Sequence, residues 1–295
     1  MDYLSLIRKP IDSELQEFIE YISIICDFVP LDSPSLKVET VQNSDISYKS
    51  PVILNRECNA FISKEDVSFE DVAIKANILC KGKPATAGSK MLRNFVATYD
   101  SVAVANLKKA GFGIGAVTNM DEFAMGHDSS TSYCGRVLNP FDSERSAGGS
   151  SGGSCAAVAS GVSRYALGSD TGGSIRQPAA FMGLVGLKPT YGSVSRYGLI
   201  AYASSFDQIG PITRNVEDNR ALFEAISDVE LRKSNVESYK ILVPDNLVAL
   251  CENSDCIANA ANAISRGEII HFDMPYLDEL IACYYVIACA ECSSN

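Results

Sequence analysis

The chain has 295 residues, 46% of them hydrophobic and 21% charged, with a formal net charge of −11. That is the composition of an ordinary globular protein with room for one large α/β domain or two smaller ones. The acidic balance excludes a broad nucleic-acid footprint, which needs clustered Lys and Arg. The ten cysteines (26, 58, 80, 134, 155, 251, 256, 283, 289 and 292) follow neither zinc-site spacing nor the pattern of a small disulfide scaffold. Cys289 and Cys292 form a Cys-x-x-Cys pair, for which free thiols in a reducing cytosol are the plainer reading and metal or redox use the sharper one. The start Met1-Asp2-Tyr3 has no basic, apolar character of a secretion signal, and the longest nearly unbroken apolar run, 280–290, falls short of the about 20 residues that span a bilayer. A cytoplasmic protein, or one of an organellar matrix, is expected.

In chain order, residues 1–60 read as an N-terminal helical and loop segment. Ser13 is placed to cap a helix through about Cys26, with Leu15, Phe18, Ile19, Ile22 and Ile25 at helical spacing. Residues 30–51 are polar and punctuated, hence loop. A single α/β domain is expected over 61–295, with its core at 72–228. Residues 72–74 read as a buried strand with Lys75 at its end, and 99–110 as an amphipathic helix turning Val102, Val104 and Leu107 inward and closed by Gly111. Residues 112–118 read as the next strand, and 119–123 open a loop. This β-α-β rhythm predicts a mixed, largely parallel central sheet covered by helices on both faces.

Ser129, Ser130, Thr131 and Ser132 make a hydroxyl-rich loop, and Asn139-Pro140-Phe141-Asp142 a turn. Ser154 sits where it can cap a helix over 155–160 that Gly161 closes. Residues 165–167 read as a second buried strand, 183–187 as a continuation of the core and Val216–Ile226 as a helix. A strand at 240–243 and helices around 255–265 and 277–290 complete the chain.

Two glycine-serine loops flank the 155–167 segment: Gly148-Gly149-Ser150-Ser151-Gly152-Gly153-Ser154 and Gly168-Ser169-Asp170-Thr171-Gly172-Gly173-Ser174-Ile175-Arg176-Gln177-Pro178. Glycine at this density lets backbone take positive φ or approach a ligand closely. Three readings compete. Phosphate binding lacks the lysine of a Walker loop and the dinucleotide glycine pattern. Close helix-sheet packing accounts for some of the glycines. A serine nucleophile needs a base and oxyanion donors. The chain has two histidines, His127 and His271, neither in a catalytic-looking motif. A buried lysine held neutral can serve as the base, and Lys75 is the candidate. The backbone N–H groups of Thr171, Gly172, Gly173 and Ser174 are candidates for the oxyanion hole.

These two loops resemble the amidase signature family. The resemblance implies a Ser–cis-Ser–Lys triad with Ser174 as nucleophile, Ser150 as the bridging serine after a cis peptide and Lys75 as base. Four further motifs are similar to the glutaminase A subunits of tRNA-dependent amidotransferases within that family: Asn119-Met120-Asp121-Glu122-Phe123-Ala124-Met125-Gly126, Gly186-Leu187-Lys188-Pro189-Thr190-Tyr191-Gly192, Val194-Ser195-Arg196-Tyr197-Gly198 and Asp207-Gln208-Ile209-Gly210-Pro211-Ile212-Thr213. What that implies is glutamine hydrolysis within a heterotrimer. Ammonia would pass to a B subunit that uses ATP and Mg to activate misacylated tRNA, with a small C subunit bracing the pair and no cofactor or metal in this chain. Met125, Gly126, Ser129, Asp170 and Arg176 are the implied substrate-pocket residues.

Four features depart from the family pattern. Lys75-Ala76-Asn77 replaces Lys-Asp-Asn, and His127-Asp128 replaces a glycine-serine pair. The lead-in before Lys75 is short, and the family is considerably longer, so Ala290-Glu291-Cys292-Ser293-Ser294-Asn295 resembles a mid-chain motif at which a truncated chain stops. A stand-alone amidase of the same family and a truncated inactive scaffold are the alternatives.

Overall fold

The computed structural model describes residues 58–63, 68–229, 240–250 and 269–295. The expected helices at 13–26 and 255–265 and the loop at 30–51 lie outside them. The described chain divides into two compact units, one holding 58–229 and Ala288–Asn295, the other 240–287. The division at about 230 falls inside the 61–295 stretch that the sequence suggested as one domain. In the second unit strand β6 (Ile241–Pro244) pairs in parallel with β7 (Ile269–Phe272).

The first unit is built on a five-stranded sheet of order β2-β1-β3-β5-β4. β1 is Val72–Lys75, β2 Ile114–Thr118, β3 Tyr165–Asp170, β4 Val185–Gly186 and β5 Gln208–Thr213. β1 pairs in parallel with both β2 and β3. Every residue of β1, β3 and β5 is buried, which requires cover on both faces of the sheet and explains why their sequences read as apolar runs rather than alternations. The sheet is mixed as expected. It is less parallel than the rhythm implied, because β5 runs antiparallel to both β3 and β4. The chain leaves β3 through a turn and a short helix and comes back against it, so only the β1-to-β2 and β2-to-β3 connections are helical crossovers between parallel strands.

Helix α1 (Val102–Lys109) starts on Ser101, whose Oγ accepts the Val104 amide, and buries Ala103, Val104 and Leu107. Its last turn carries Lys108 and Lys109, which suit the negative end of the helix dipole. It is shorter than the 99–110 expected, and Val102 is only half-buried. Gly111, at φ +88°, then turns the chain so that the Phe112 amide returns to Leu107 O. Helix α4 (Val216–Ile226) spans the residues expected. Asn215 caps it by accepting the Asp218 amide at 2.7 Å.

Helix α2 (Gly152–Ala159) is completely buried and made of small residues, so its axis lies close against the strands. Gly153 is needed there: a Cβ would sit 2.2 Å from Asn119 O and 2.6 Å from Ala60 O. The helix begins three residues earlier than the 155–160 expected, and Ser154 does not cap it. Ser154 Oγ instead donates to Leu167 O at 3.0 Å and accepts from Thr118 Oγ1 at 2.7 Å, tying α2 to β3 and β2. The strands supply closer partners to that hydroxyl than the local turn does. At the other end Arg214 donates to the carbonyls of Val158 (3.1 Å) and Ala159 (3.0 Å), adding a second donor to Val158 O, which already accepts the Gly161 amide, and supplying one to Ala159 O at the helix end.

Helix α3 (Arg176–Phe181) and helix α6 (Leu277–Ser294) complete the elements used below; α5 (Asp245–Val248) lies in the second unit. α6 extends four residues beyond the 277–290 expected. Among the described residues no helix is long and apolar enough to cross a membrane.

Candidate active site

Lys75 ends β1 and is fully buried. Its side chain runs towards the two glycine-serine loops, which arrive from β3 on one side and from the start of α2 on the other. Lys75 Nζ lies 2.7 Å from Ser150 Oγ, 2.8 Å from Ser151 Oγ, 2.9 Å from Ser169 Oγ and 3.1 Å from Ser169 O. Four oxygens and no carboxylate touch the amine. Burial is the main influence on it and lowers its pKa from 10.5 to about 7, against the opposing pull of Asp121, Asp170 and Asp207 at longer range.

The hydrogen inventory of this cluster limits what Lys75 can do. Ser169 O only accepts. Ser151 Oγ donates to Ser169 O at 3.1 Å, so towards Lys75 it accepts. A neutral amine has two N–H donors, which these two oxygens take up. The lone pair is left facing the hydroxyls of Ser150 and Ser169, and Ser169 Oγ also accepts from Asn77 Nδ2 at 3.0 Å. A base with a free lone pair 2.7 Å from a serine hydroxyl can take that hydroxyl's proton.

The Gly149–Ser150 peptide is cis. Gly149 cannot be larger, since a Cβ would meet Asp121 Oδ2 at 2.2 Å. Ser174 is buried, in the turn between β3 and α3, and its carbonyl accepts the Ser151 amide at 3.1 Å. That backbone bond joins the two loops. Among the described residues no hydrogen bond links the Ser150 and Ser174 hydroxyls.

The turn itself is organised by Asp170. Its carboxylate is buried and accepts from the amides of Gly173 (2.8 Å), Ile175 (3.0 Å) and Arg176 (3.3 Å) and from the Arg176 guanidinium at 2.9 Å. Burial opposes the charge, but the Arg176 bonds and the amides outweigh it and hold the carboxyl below the ordinary range. The Gly173 amide is therefore engaged, and of the four candidate oxyanion donors Thr171, Gly172 and Ser174 keep amides that donate to no described residue. Asp170 and Arg176, expected in the substrate pocket, are paired with each other, and the Arg176 side chain stays half-exposed. Asp170→Ala is expected to destabilise the fold by about 2–4 kcal/mol, because it leaves three amides without an acceptor. Urea unfolding of the two proteins checks this, and a change under about 0.5 kcal/mol would contradict it.

The remaining expected pocket residues divide. Met125 is exposed and Gly126 half-buried. Ser129 is buried, with its Oγ donating to Gly148 O at 2.8 Å and accepting the Gly152 amide at 3.2 Å. It braces the first glycine-serine loop and caps α2 from a distant part of the chain, so its hydroxyl is not available to a substrate. Ser129 is placed there by Asp121, a buried carboxylate that accepts the amides of Ser129 (2.9 Å) and Thr131 (3.3 Å) and the Thr131 hydroxyl (2.9 Å). His127 is exposed, while Cys155, buried beside Lys75, has its thiol pushed up by burial and stays protonated. No group of three or more His, Cys, Asp and Glu is arranged to hold a metal among the described residues.

The contacts that sequence reasoning missed are those of Ser151, Ser169, Asn77, Asp121 and Asp207. Ser151 and Ser169 stand in the two glycine-serine loops, and Asp121 and Asp207 in the 119–126 and 207–213 motifs. These motifs carried the signal without the roles.

A family profile described as Amidase matches residues 71–295. The chain is 40% identical over 290 residues to a protein of Akkermansia muciniphila named as the A subunit of glutamyl-tRNA(Gln) amidotransferase, covering 91% of this chain and 62% of that one. It is 45% identical over 259 residues to the protein of that name from Wolinella succinogenes, covering 80% and 58%. Among solved structures it is similar to the A subunit of the same enzyme from Thermotoga maritima, with TM-score 0.72, 40% identity and 82% and 60% of the two chains covered. It is also similar to a peptide amidase from Stenotrophomonas maltophilia, with TM-score 0.64, 27% identity and 76% and 52% covered. The chain thus spans about three-fifths of the length of the curated relatives it matches.

Proposed function

The chain belongs to the amidase family, and from that membership we propose that it is the glutamine-hydrolysing subunit of a tRNA-dependent amidotransferase. The observation that carries the chemistry is the contact of 2.7 Å between a buried Lys75, with its pKa lowered to about 7, and Ser150. In this reading Ser174 Oγ adds to the side-chain carbonyl carbon of glutamine. Its proton passes to Ser150 as the Ser150 proton passes to Lys75. The oxyanion is received by the amides of Thr171, Gly172 and Ser174. The C–N bond breaks, the leaving nitrogen takes the proton back through Ser150, and ammonia departs. Water then repeats the path in reverse and frees Ser174 with release of glutamate.

The ammonia would serve a B subunit that activates Glu-tRNA(Gln) or Asp-tRNA(Asn) with ATP and Mg2+, and a C subunit would brace the pair. The net charge of −11 fits a chain that leaves RNA contact to its partner. The test is ammonia release from glutamine by the purified chain, alone and with B and C subunits added. The expected result is release that rises at least tenfold with the partners. Equal hydrolysis of unrelated amides without partners would replace this reading with a stand-alone amidase, and no hydrolysis of any amide by folded protein would overturn it.

A further inference from the structure

Behind the Ser174 turn, Thr171 is held by its side chain. Thr171 Oγ1 donates to Asp207 Oδ1 at 2.6 Å. Asp207 is buried, and its other oxygen accepts the amides of Tyr202 (2.8 Å) and Ala203 (3.0 Å). The 202–207 turn is closed on itself, since the amides of Phe206 and Asp207 both return to Ala203 O, at 2.9 and 2.8 Å. Its outer side is gripped by the end of α6. The Glu291 carboxylate accepts the Ser205 amide at 2.9 Å and also the Ser205 hydroxyl, and Asn295 Nδ2 donates to Tyr202 O at 3.3 Å. Residues 171, 202–207 and 288–295 belong to one compact unit.

We propose that Thr171 is a positioning residue for amide hydrolysis, its main chain held in register by Asp207 and by the 202–207 turn that Glu291 and Asn295 clamp from the end of α6. The proposal rests on the reading of Ser174 as nucleophile. Thr171 is the first residue after β3, and its peptide groups are among those offered to the oxyanion. A bond of 2.6 Å from its side chain to a carboxylate fixed by two amides removes the rotation that would turn those groups aside. Oxyanion donors act on charge that exists only in the transition state, so a loss of their alignment lowers kcat and leaves KM unchanged. The arrangement also makes the Glu291–Asn295 motif a part of the site's support.

Thr171→Val keeps the shape and removes the donor. It is expected to lower kcat for amide hydrolysis about tenfold with KM unchanged, a fraction of the effect of deleting an oxyanion donor outright. Thr171→Ser, which restores the hydroxyl, is expected to regain most of the rate. Independently of turnover, Glu291→Ala is expected to raise amide hydrogen exchange about tenfold across 171–174 as well as across 202–207. Wild-type kcat in Thr171→Val, a raised KM with kcat preserved, or unchanged exchange at 171–174 in Glu291→Ala would each overturn the proposal. Absence of Ser174-dependent hydrolysis in the unmodified protein would count against the proposed function, and the exchange comparison would still decide the coupling.

Discussion

Ser174→Ala is expected to abolish amide hydrolysis, lowering kcat about 10⁴-fold or more, with the fold intact. Three serines of the two loops compete for the role of nucleophile, and their hydrogen bonds separate them. Ser151 accepts from Lys75 and donates to Ser169 O, so both its functions are occupied. Ser150 faces the Lys75 lone pair and is placed to pass a proton on. Ser174 alone of the three has a hydroxyl that bonds to no described residue, in a turn where the amides of Thr171, Gly172 and Ser174 itself also donate to no described residue while those of Gly173 and Ile175 are held by Asp170. Removing that hydroxyl strands no partner, so stability in urea is expected to stay within about 0.5 kcal/mol of wild type. Turnover measured on folded variant decides the matter, and retention of even a tenth of the wild-type rate would dismiss Ser174 as nucleophile.

The rate should also follow the protonation of Lys75. As the proposed base Lys75 would work as the neutral amine, and burial brings its pKa down from 10.5 to about 7. Below that value kcat/KM is expected to fall about tenfold per pH unit, and above it to level off. Lys75→Met is expected to abolish turnover at every pH. Stability carries the same signature with a definite sign. Between about 7 and 10.5 the unfolded chain holds a proton on Lys75 that the folded chain does not. Stability therefore rises with pH through that window, with a slope approaching about 1.4 kcal/mol per pH unit from this group. Below about 7 both states are protonated, and the cost of the buried cation is present in full. Comparing the pH dependence of unfolding in wild type and Lys75→Met isolates the slope. A flat kcat/KM between pH 6 and 8, or the same slope in both proteins, would show that Lys75 does not titrate where its burial places it.

Much of the fold and of the site is legible in the order of the amino acids. The Val72–Lys75 strand, the Val216–Ile226 helix and the long apolar helix from Leu277 are local features, set by runs and periodicities that survive in the fold. The loops gathered around Lys75 are legible too, because glycine and serine at that density serve few other purposes. The role of Ser154 is not, since a capping position is defined locally and its hydroxyl is captured by Leu167 and Thr118 from strands far away in the chain. Ser129, Asp170 and Arg176, expected to line the substrate pocket, also hold the loops together through their hydrogen bonds. A short polar side chain beside a site looks the same in sequence whether it faces a ligand or a backbone amide.

The sequence by itself determined which groups are available: one lysine ending an apolar strand, two glycine-serine loops, few histidines and an acidic balance. It also contained the motifs that place the chain among amidases. Only the tertiary structure decided the division of labour among Ser150, Ser151, Ser169 and Ser174, because that depends on which hydroxyl meets which acceptor across segments far apart in the chain. It alone decided that the Gly173 amide is spent on Asp170. The charge state of Lys75 is likewise a property of the enclosure. An amine with the same neighbours in sequence but open to water would keep its proton, and burial among neutral hydroxyls is what brings the pKa of this one down to about 7.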